Sequence, residues 1–456
     1  MSRSTVVTLV DGVRLVLPDS LELITPYVLA EQEDWFEDEI KFLRVALRPG
    51  QHVVDIGANY GVYTLSIAQT LGPAGRVWAF EPASSTAAFL GDSVRLNGMS
   101  QVTVLRSALS SESGSAQLTA GPHAELNALV RGAAAGQLTE SVDLTTLDRC
   151  QAELGWQRID FIKIDAEGEE GRILEGGRDF FRAQSPLVMY EVKAAQDLHL
   201  ELVQSFAGLG YASYRLVPGL NVLLPFDAAE PADGFLLNLF ACKPELAGQL
   251  AQQGLLVPAD SAESVRVAPR PWQQRLPLLP YAQALAPLWT KAAPLNAVGP
   301  LDEALSLHTA SLDATTAPAE RYRALCGARE RLNLLVAQRA THGRLCSLAR
   351  VEHELGARVQ SVSTLLRLLG MPIPAGGLAL DEPFLPAAEA YEKTNPGGQL
   401  EAWFFGTALE QFECISSFSS FYTGNSARPR LEQILRLGFA GAQTQRRLGL
   451  LRRRYG

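Results

Sequence analysis

Between residues 50 and 242, short apolar runs alternate with stretches of helical spacing, and that alternation restricts the chain to one architecture. "HVVDI" (52–56), "RVWAFE" (76–81), "VTVLR" (102–106), "IDFIKID" (159–165) and "PLVMYEV" (186–192) are rich in β-branched and aromatic residues. Runs that are apolar on both faces belong to a parallel sheet covered on both sides. Helical stretches at 60–71, 83–97, 169–182 and 195–209 fall among them, the pattern of a doubly wound α/β sheet. "YASYRLV" and "FLLNLFACK" then follow with only a loop between them, so the sheet is expected to finish in an antiparallel pair.

The rest of the chain reads as additions to that sheet. At 456 residues it exceeds one ordinary core. Residues 1–49 form an accessory segment ending in the amphipathic "DWFEDEIKFLRVAL", and 50–245 the sheet domain. Residues 246–300 form a Pro-rich linker, and 301–456 a mainly helical C-terminal domain with apolar residues at i, i+3, i+4 and i+7. Trp403, Phe404, Phe405, Phe412, Phe418, Phe421 and Tyr422 crowd one stretch of it, as core or as the interface of a homo-oligomer. A net charge of −9 disfavours nucleic acid as partner, although "RRLGLLRRRYG" is locally basic. Cys150, Cys242, Cys326, Cys346 and Cys414 are scattered without a C-x-x-C pair, which fits a reducing compartment. The sequence shows no apolar leader and no run of ~18 apolar residues, so a cytoplasmic protein without a membrane span is expected.

The first strand runs into "VVDIGANYGVYT" (53–64). Asp55 ends the strand, Gly57 permits a sharp turn, and Gly61 lets the next helix approach both strand and ligand. No Lys follows Gly61, which excludes a phosphate-binding G-x-x-x-x-G-K-[ST] loop. The G-x-N-x-G spacing is also a poor dinucleotide fingerprint. S-adenosylmethionine remains, with its carboxylate at the turn and its ammonium facing Asp55. Glu81, at the tip of the second strand, is placed to accept ribose hydroxyls.

With "SVRLNGMSQVTVLRSALS" and "IDFIKIDAEGEEGRILEGG" following in order, residues ~35–242 resemble the FkbM family of class I methyltransferases. The resemblance implies a Rossmann-like seven-stranded sheet with its last strand antiparallel, and S-adenosylmethionine as methyl donor. It carries over Asp55, Gly57, Ala58, Asn59, Gly61, Glu81 and Pro82 as donor-site positions, with Ser107 and Ala108 flanking the adenine. It also implies a hydroxyl acceptor, expected here on a sugar or glycan such as a surface polysaccharide. The alternatives are a lipid, polyketide-like or amine acceptor, or a non-catalytic scaffold on the same fold.

An alcohol needs help in losing its proton, so a base is expected at the carboxyl ends of the strands. Asp165 is the first choice and Glu191 the second, with His123 a further catalytic candidate and Asn127 beside it. Lys163 shares a strand face with Asp165. Asp165, Glu167 and Glu191 could alternatively hold a divalent cation, which is not the expectation. Glu169 and Glu170 read as helix-start acids, and Tyr63 and Thr64 as supports of the donor pocket.

Overall fold

The computed structural model describes residues 3–119, 128–129, 139–194, 197–259, 268–292, 299–375, 377–378 and 380–456. The chain divides into two compact units, one of residues 1–216, 223–232 and 236–252, the other of 217–222, 233–235 and 253–456.

The first unit opens with an antiparallel hairpin, β1 (Ser4–Thr8) and β2 (Arg14–Pro18), then helices α1 (Ile24–Gln32) and α2 (Asp38–Ala46). The alternating region follows as β3 (His52–Ile56), α3 (Val62–Leu71), β4 (Arg76–Phe80), α4 (Ser84–Asn97) and β5 (Val102–Leu105). A three-stranded side sheet, β6 (Ser107–Leu109), β7 (Gly114–Thr119) and β8 (Thr139–Thr145), interrupts it before α5 (Leu147–Glu153). The main sheet resumes with β9 (Phe161–Ile164), α6 (Glu170–Glu175), α7 (Arg178–Gln184) and β10 (Leu187–Glu191). Short β11 (Lys193–Ala194) and β12 (Asp197–Leu198) lead to α8 (Glu201–Gly208), β13 (Ala212–Val217), β14 (Val222–Pro225), β15 (Asn238–Cys242) and α9 (Pro244–Gln252).

The main sheet has the order β14-β13-β15-β10-β9-β3-β4-β5. Pairs β9–β10, β3–β9, β3–β4 and β4–β5 are parallel, and β15 runs antiparallel to both β10 and β13. The chain progresses from β3 toward one edge through β4 and β5, and later toward the other through β9 and β10. The crevice at the carboxyl ends of β3 and β9 is therefore the switch point where open α/β sheets bind ligands. Val53, Val54, Phe161, Ile162, Val188 and Tyr190 are wholly buried, as strands covered on both faces must be.

Two details differ from the sequence reading. The sheet has eight strands rather than seven, because the chain turns at Asn221 (φ +54°) and Val222–Pro225 pairs back on β13 at the edge. The helix expected over 169–182 is broken at Gly176–Gly177, where a Cβ on Gly176 would stand 2.2 Å from the Ser110 carbonyl oxygen.

In the second unit the described residues form helices α10 (Ala286–Ala292), α11 (Pro300–Ser311), α12 (Pro318–Gln338), α13 (His342–Glu354), α14 (Arg358–Leu369), α15 (Leu400–Ile415), α16 (Ser420–Thr423), α17 (Arg428–Leu437) and α18 (Ala442–Tyr455). The Pro-rich stretch differs from the extended linker expected of it. Its 3-10 turns carry Trp272 and Tyr281, which with Trp289 are wholly buried. Tyr281 stacks on Trp403 at 5.5 Å and donates to the Phe384 carbonyl at 2.6 Å. Proline spacing obscured aromatic side chains that belong to the core. Among the described residues, no helix is long and apolar enough to cross a membrane.

Candidate active site

The turn after β3 is built by backbone donors. Gly57 and Ala58 both donate their N–H to the Phe80 carbonyl, at 3.1 and 3.0 Å. Gly57 has φ +75°, and a Cβ there would lie 1.7 Å from the Asp165 carbonyl oxygen, so the turn closes only on glycine. Asn59 takes the left-handed conformation (φ +50°) and donates its N–H to Glu81 Oε2 at 2.9 Å. Ala83, just past Pro82, donates to Glu81 Oε1 at 2.9 Å. Glu81 thus joins the turns after β3 and β4, while a carboxylate's roughly four acceptor positions leave room for more donors. Burial pushes its carboxyl up to about 7 against those two amide bonds. Gly61 precedes α3. Ser107 and Ala108 lie in β6, just beyond β5, paired with Asp143 and Leu144.

Asp55 is enclosed. Its Oδ2 accepts from Thr64 Oγ1 at 2.5 Å, and its Oδ1 has no hydrogen-bond partner among the described residues. Burial raises its carboxyl above the ordinary range, opposed by Lys163, whose Nζ is 4.0 Å from Oδ1. An orphaned acceptor oxygen beside an amide-lined turn fits a ligand that brings donors, as an S-adenosylmethionine ammonium and ribose would.

Behind the turn the strand ends gather acids around one buried cation. Lys163 lies in the interior of β9, its Nζ 2.7 Å from Asp165 Oδ2 and 5.2 Å above the Tyr63 ring. Burial opposes its charge, but Asp165 and Asp55 more than offset this and hold it above the usual lysine value. Tyr63 donates its hydroxyl to Glu37 at 2.5 Å, and Asn238 donates to the same oxygen at 3.1 Å. Carboxylate oxygens of Asp165, Glu167 and Glu191 lie within 4.8 Å of one another. Burial first, then the charges of Asp165, Glu167, Glu170 and Glu37, push Glu191 up to about 11. Burial and the neighbouring acids thus favour the protonated form of Glu191. The trio's spacing also admits a divalent cation.

Glu169 accepts from Ser110 Oγ at 2.8 Å, and Glu170 from the Ala166 and Gly168 amides at 2.9 and 3.3 Å. They hold the start of α6. Glu167 adopts φ +50°. His123 and Asn127 lie outside the described residues. Glu37 and Asn238 are site residues that the sequence reading missed. The acid run "DWFEDE" before α2 was the available signal for Glu37, and for Asn238 there was none.

The fold and site define a class I methyltransferase. The methyltransferase FkbM domain matches residues 55–213. The 31-O-demethyl-FK506 methyltransferase FkbM of Streptomyces tacrolimicus is 32% identical over 197 residues, covering 37% of this chain and 75% of that relative. The chain belongs to the FkbM family of methyltransferases. A solved FkbM methyltransferase from Methylobacillus flagellatus aligns at 18% identity over 43% of this chain and 45% of its own, with a TM-score of 0.30. This chain thus spans under half the length of that structure. A Thermotoga maritima O-methyltransferase aligns at 15% identity over 52% and 77%, with a TM-score of 0.26.

Proposed function

We propose that the protein is an S-adenosylmethionine-dependent O-methyltransferase whose acceptor is a sugar hydroxyl. The observation that carries this reading is the meeting of the Glu81-braced turn and the Asp165 loop at Gly57, which joins a donor site to a base. Oxygen as the acceptor is supported by the relative named for a 31-O-methyl transfer. When bound, S-adenosylmethionine supplies a methyl on a sulfonium, already activated for in-line displacement.

The protein's own work is to align, exclude water and take a proton. Glu81 orients ribose hydroxyls, and Asp55 Oδ1, which has no hydrogen-bond partner among the described residues, accepts from the donor's ammonium. Lys163 holds Asp165 in place through the 2.7 Å ion pair. Asp165 accepts the acceptor's hydroxyl proton as oxygen bonds to the methyl carbon, and neutral Glu191 donates a hydrogen bond to the acceptor. The residue 1–49 segment contributes Glu37, which fixes Tyr63 beneath Lys163.

The test is methyl transfer from labelled S-adenosylmethionine to a panel of sugars, matched amines and polyketide alcohols. Product on sugar oxygen is expected. Transfer confined to amines or to non-sugar alcohols would replace the acceptor class, and no binding of S-adenosylmethionine would remove the reading.

A further inference from the structure

A groove of about 640 Å³ lies between α6, α7 and α8 of the first unit. Gly168, Glu191 and His199 line it near the starts of α6 and α8, and Arg178, Arg182 and Leu209 line it on α7 and just past α8. The eight residues of α8 span roughly 12 Å. Glu191 lines the groove and has its carboxylate within 4.8 Å of those of Asp165 and Glu167, so the groove adjoins the carboxylate centre just described.

The groove is also lined by Arg172 of α6 and by Arg178 and Arg182 of α7, among the acids Glu170, Glu175, Glu191 and Glu201. Arg182 is tied to Asp179 at 3.2 Å. The Arg172 and Arg178 side chains make no hydrogen bond or ion pair among the described residues. Unpaired guanidinium groups lining a cavity match the fork geometry of an oxyanion, and two of them suit a dianion better than a single carboxylate charge.

We propose that this groove is the acceptor site and that it takes a phosphorylated sugar, with the phosphate on Arg172 and Arg178 and the reacting hydroxyl at the Asp165–Glu191 end. The proposal rests on the sugar O-methyltransferase reading and adds the anion. The phosphate takes no part in the transfer, in which the donor's sulfur–carbon bond breaks, an oxygen–carbon bond forms and the hydroxyl proton passes to Asp165.

Calorimetry on the full chain tests it with glucose 1-phosphate, UDP-glucose and methyl glucoside as probes, and S-adenosylhomocysteine as a control. The phosphorylated probes are expected to bind at least about 10-fold more tightly than methyl glucoside. The Arg172→Ala/Arg178→Ala double variant is expected to weaken them by about 30-fold while leaving the control unchanged. Preference for UDP-glucose over glucose 1-phosphate would assign a nucleotide-linked source, and the reverse a simple phosphate ester. Equal binding of methyl glucoside, no binding of either phosphorylated probe, or an indifferent double variant would overturn the groove assignment. Failure of S-adenosylhomocysteine to bind the wild type would instead overturn the methyl-transfer reading.

Discussion

Gly57 and Asp165 approach so closely that a Cβ on residue 57 would stand 1.7 Å from the Asp165 carbonyl oxygen. The turn after β3 and the loop bearing Asp165 are thus packed as one piece, and the contact is backbone to backbone, so no side-chain rotation relieves it. Gly57→Ala must displace one loop and also force a left-handed φ of +75° on a residue with a Cβ. A stability loss of about 1–3 kcal/mol is expected, with S-adenosylhomocysteine affinity and turnover lost together. Denaturant unfolding and calorimetry check it, and a wild-type profile would show that the loops do not depend on each other.

Glu81→Gln separates bracing from ligand binding. Each carboxylate oxygen now accepts one amide, from Asn59 and from Ala83. An amide side chain offers a single oxygen, so one of those N–H groups is left facing an NH₂. S-adenosylhomocysteine affinity is expected to fall by about 1–3 kcal/mol, near the cost of an unpaired charge-assisted bond. Unchanged affinity would remove Glu81 from the donor site.

Asp165→Asn keeps the side chain's shape and removes the proton acceptor. Turnover is expected to fall by ~10²–10⁴ while donor affinity holds. Lys163→Met should act differently, because it strips the cation from two acids, Asp55 at 4.0 Å and Asp165 at 2.7 Å. Its expected signature is lowered turnover together with lowered stability, because two acids lose their shared cation. Unchanged stability would show that the ion pairs do not hold the site together. Insensitivity of the wild type to a chelator would dispose of a cation at Asp165, Glu167 and Glu191.

What could be read in the sequence follows from what is local. Strands such as Phe161–Ile164 announce themselves by burial on both faces, and Gly57, Asn59 and Glu81 by fixed positions at strand ends. The break at Gly176 was hidden because its cause is the Ser110 carbonyl, on another element. Asn238 and Glu37 are 201 positions apart and meet only once β15 inserts beside β10. The burial of Trp272, Tyr281 and Trp289 was masked by prolines that read as spacers. Glu191 was placed correctly at the strand end, but its protonation state depends on three elements converging, which no spacing records.

That convergence sets the pH dependence of stability. Glu81 at about 7 and Glu191 at about 11 are both held above their unfolded values near 4.3, chiefly by burial. For a carboxyl raised on folding, the native state binds the proton more tightly than the unfolded chain. Its contribution is complete below the unfolded value and is lost as pH rises toward the folded one. Stability is therefore expected to decline between pH 5 and pH 9, where an ordinary globular unit is near its plateau. Glu191→Gln makes the neutral form permanent while keeping its volume. Its unfolding midpoint should match the wild type near pH 5 and exceed it at pH 8–9, by a margin that grows with pH at up to about 1.4 kcal/mol per unit. Scanning calorimetry over that range decides it. A variant that runs parallel to the wild type at every pH would mean that folding does not raise the Glu191 carboxyl.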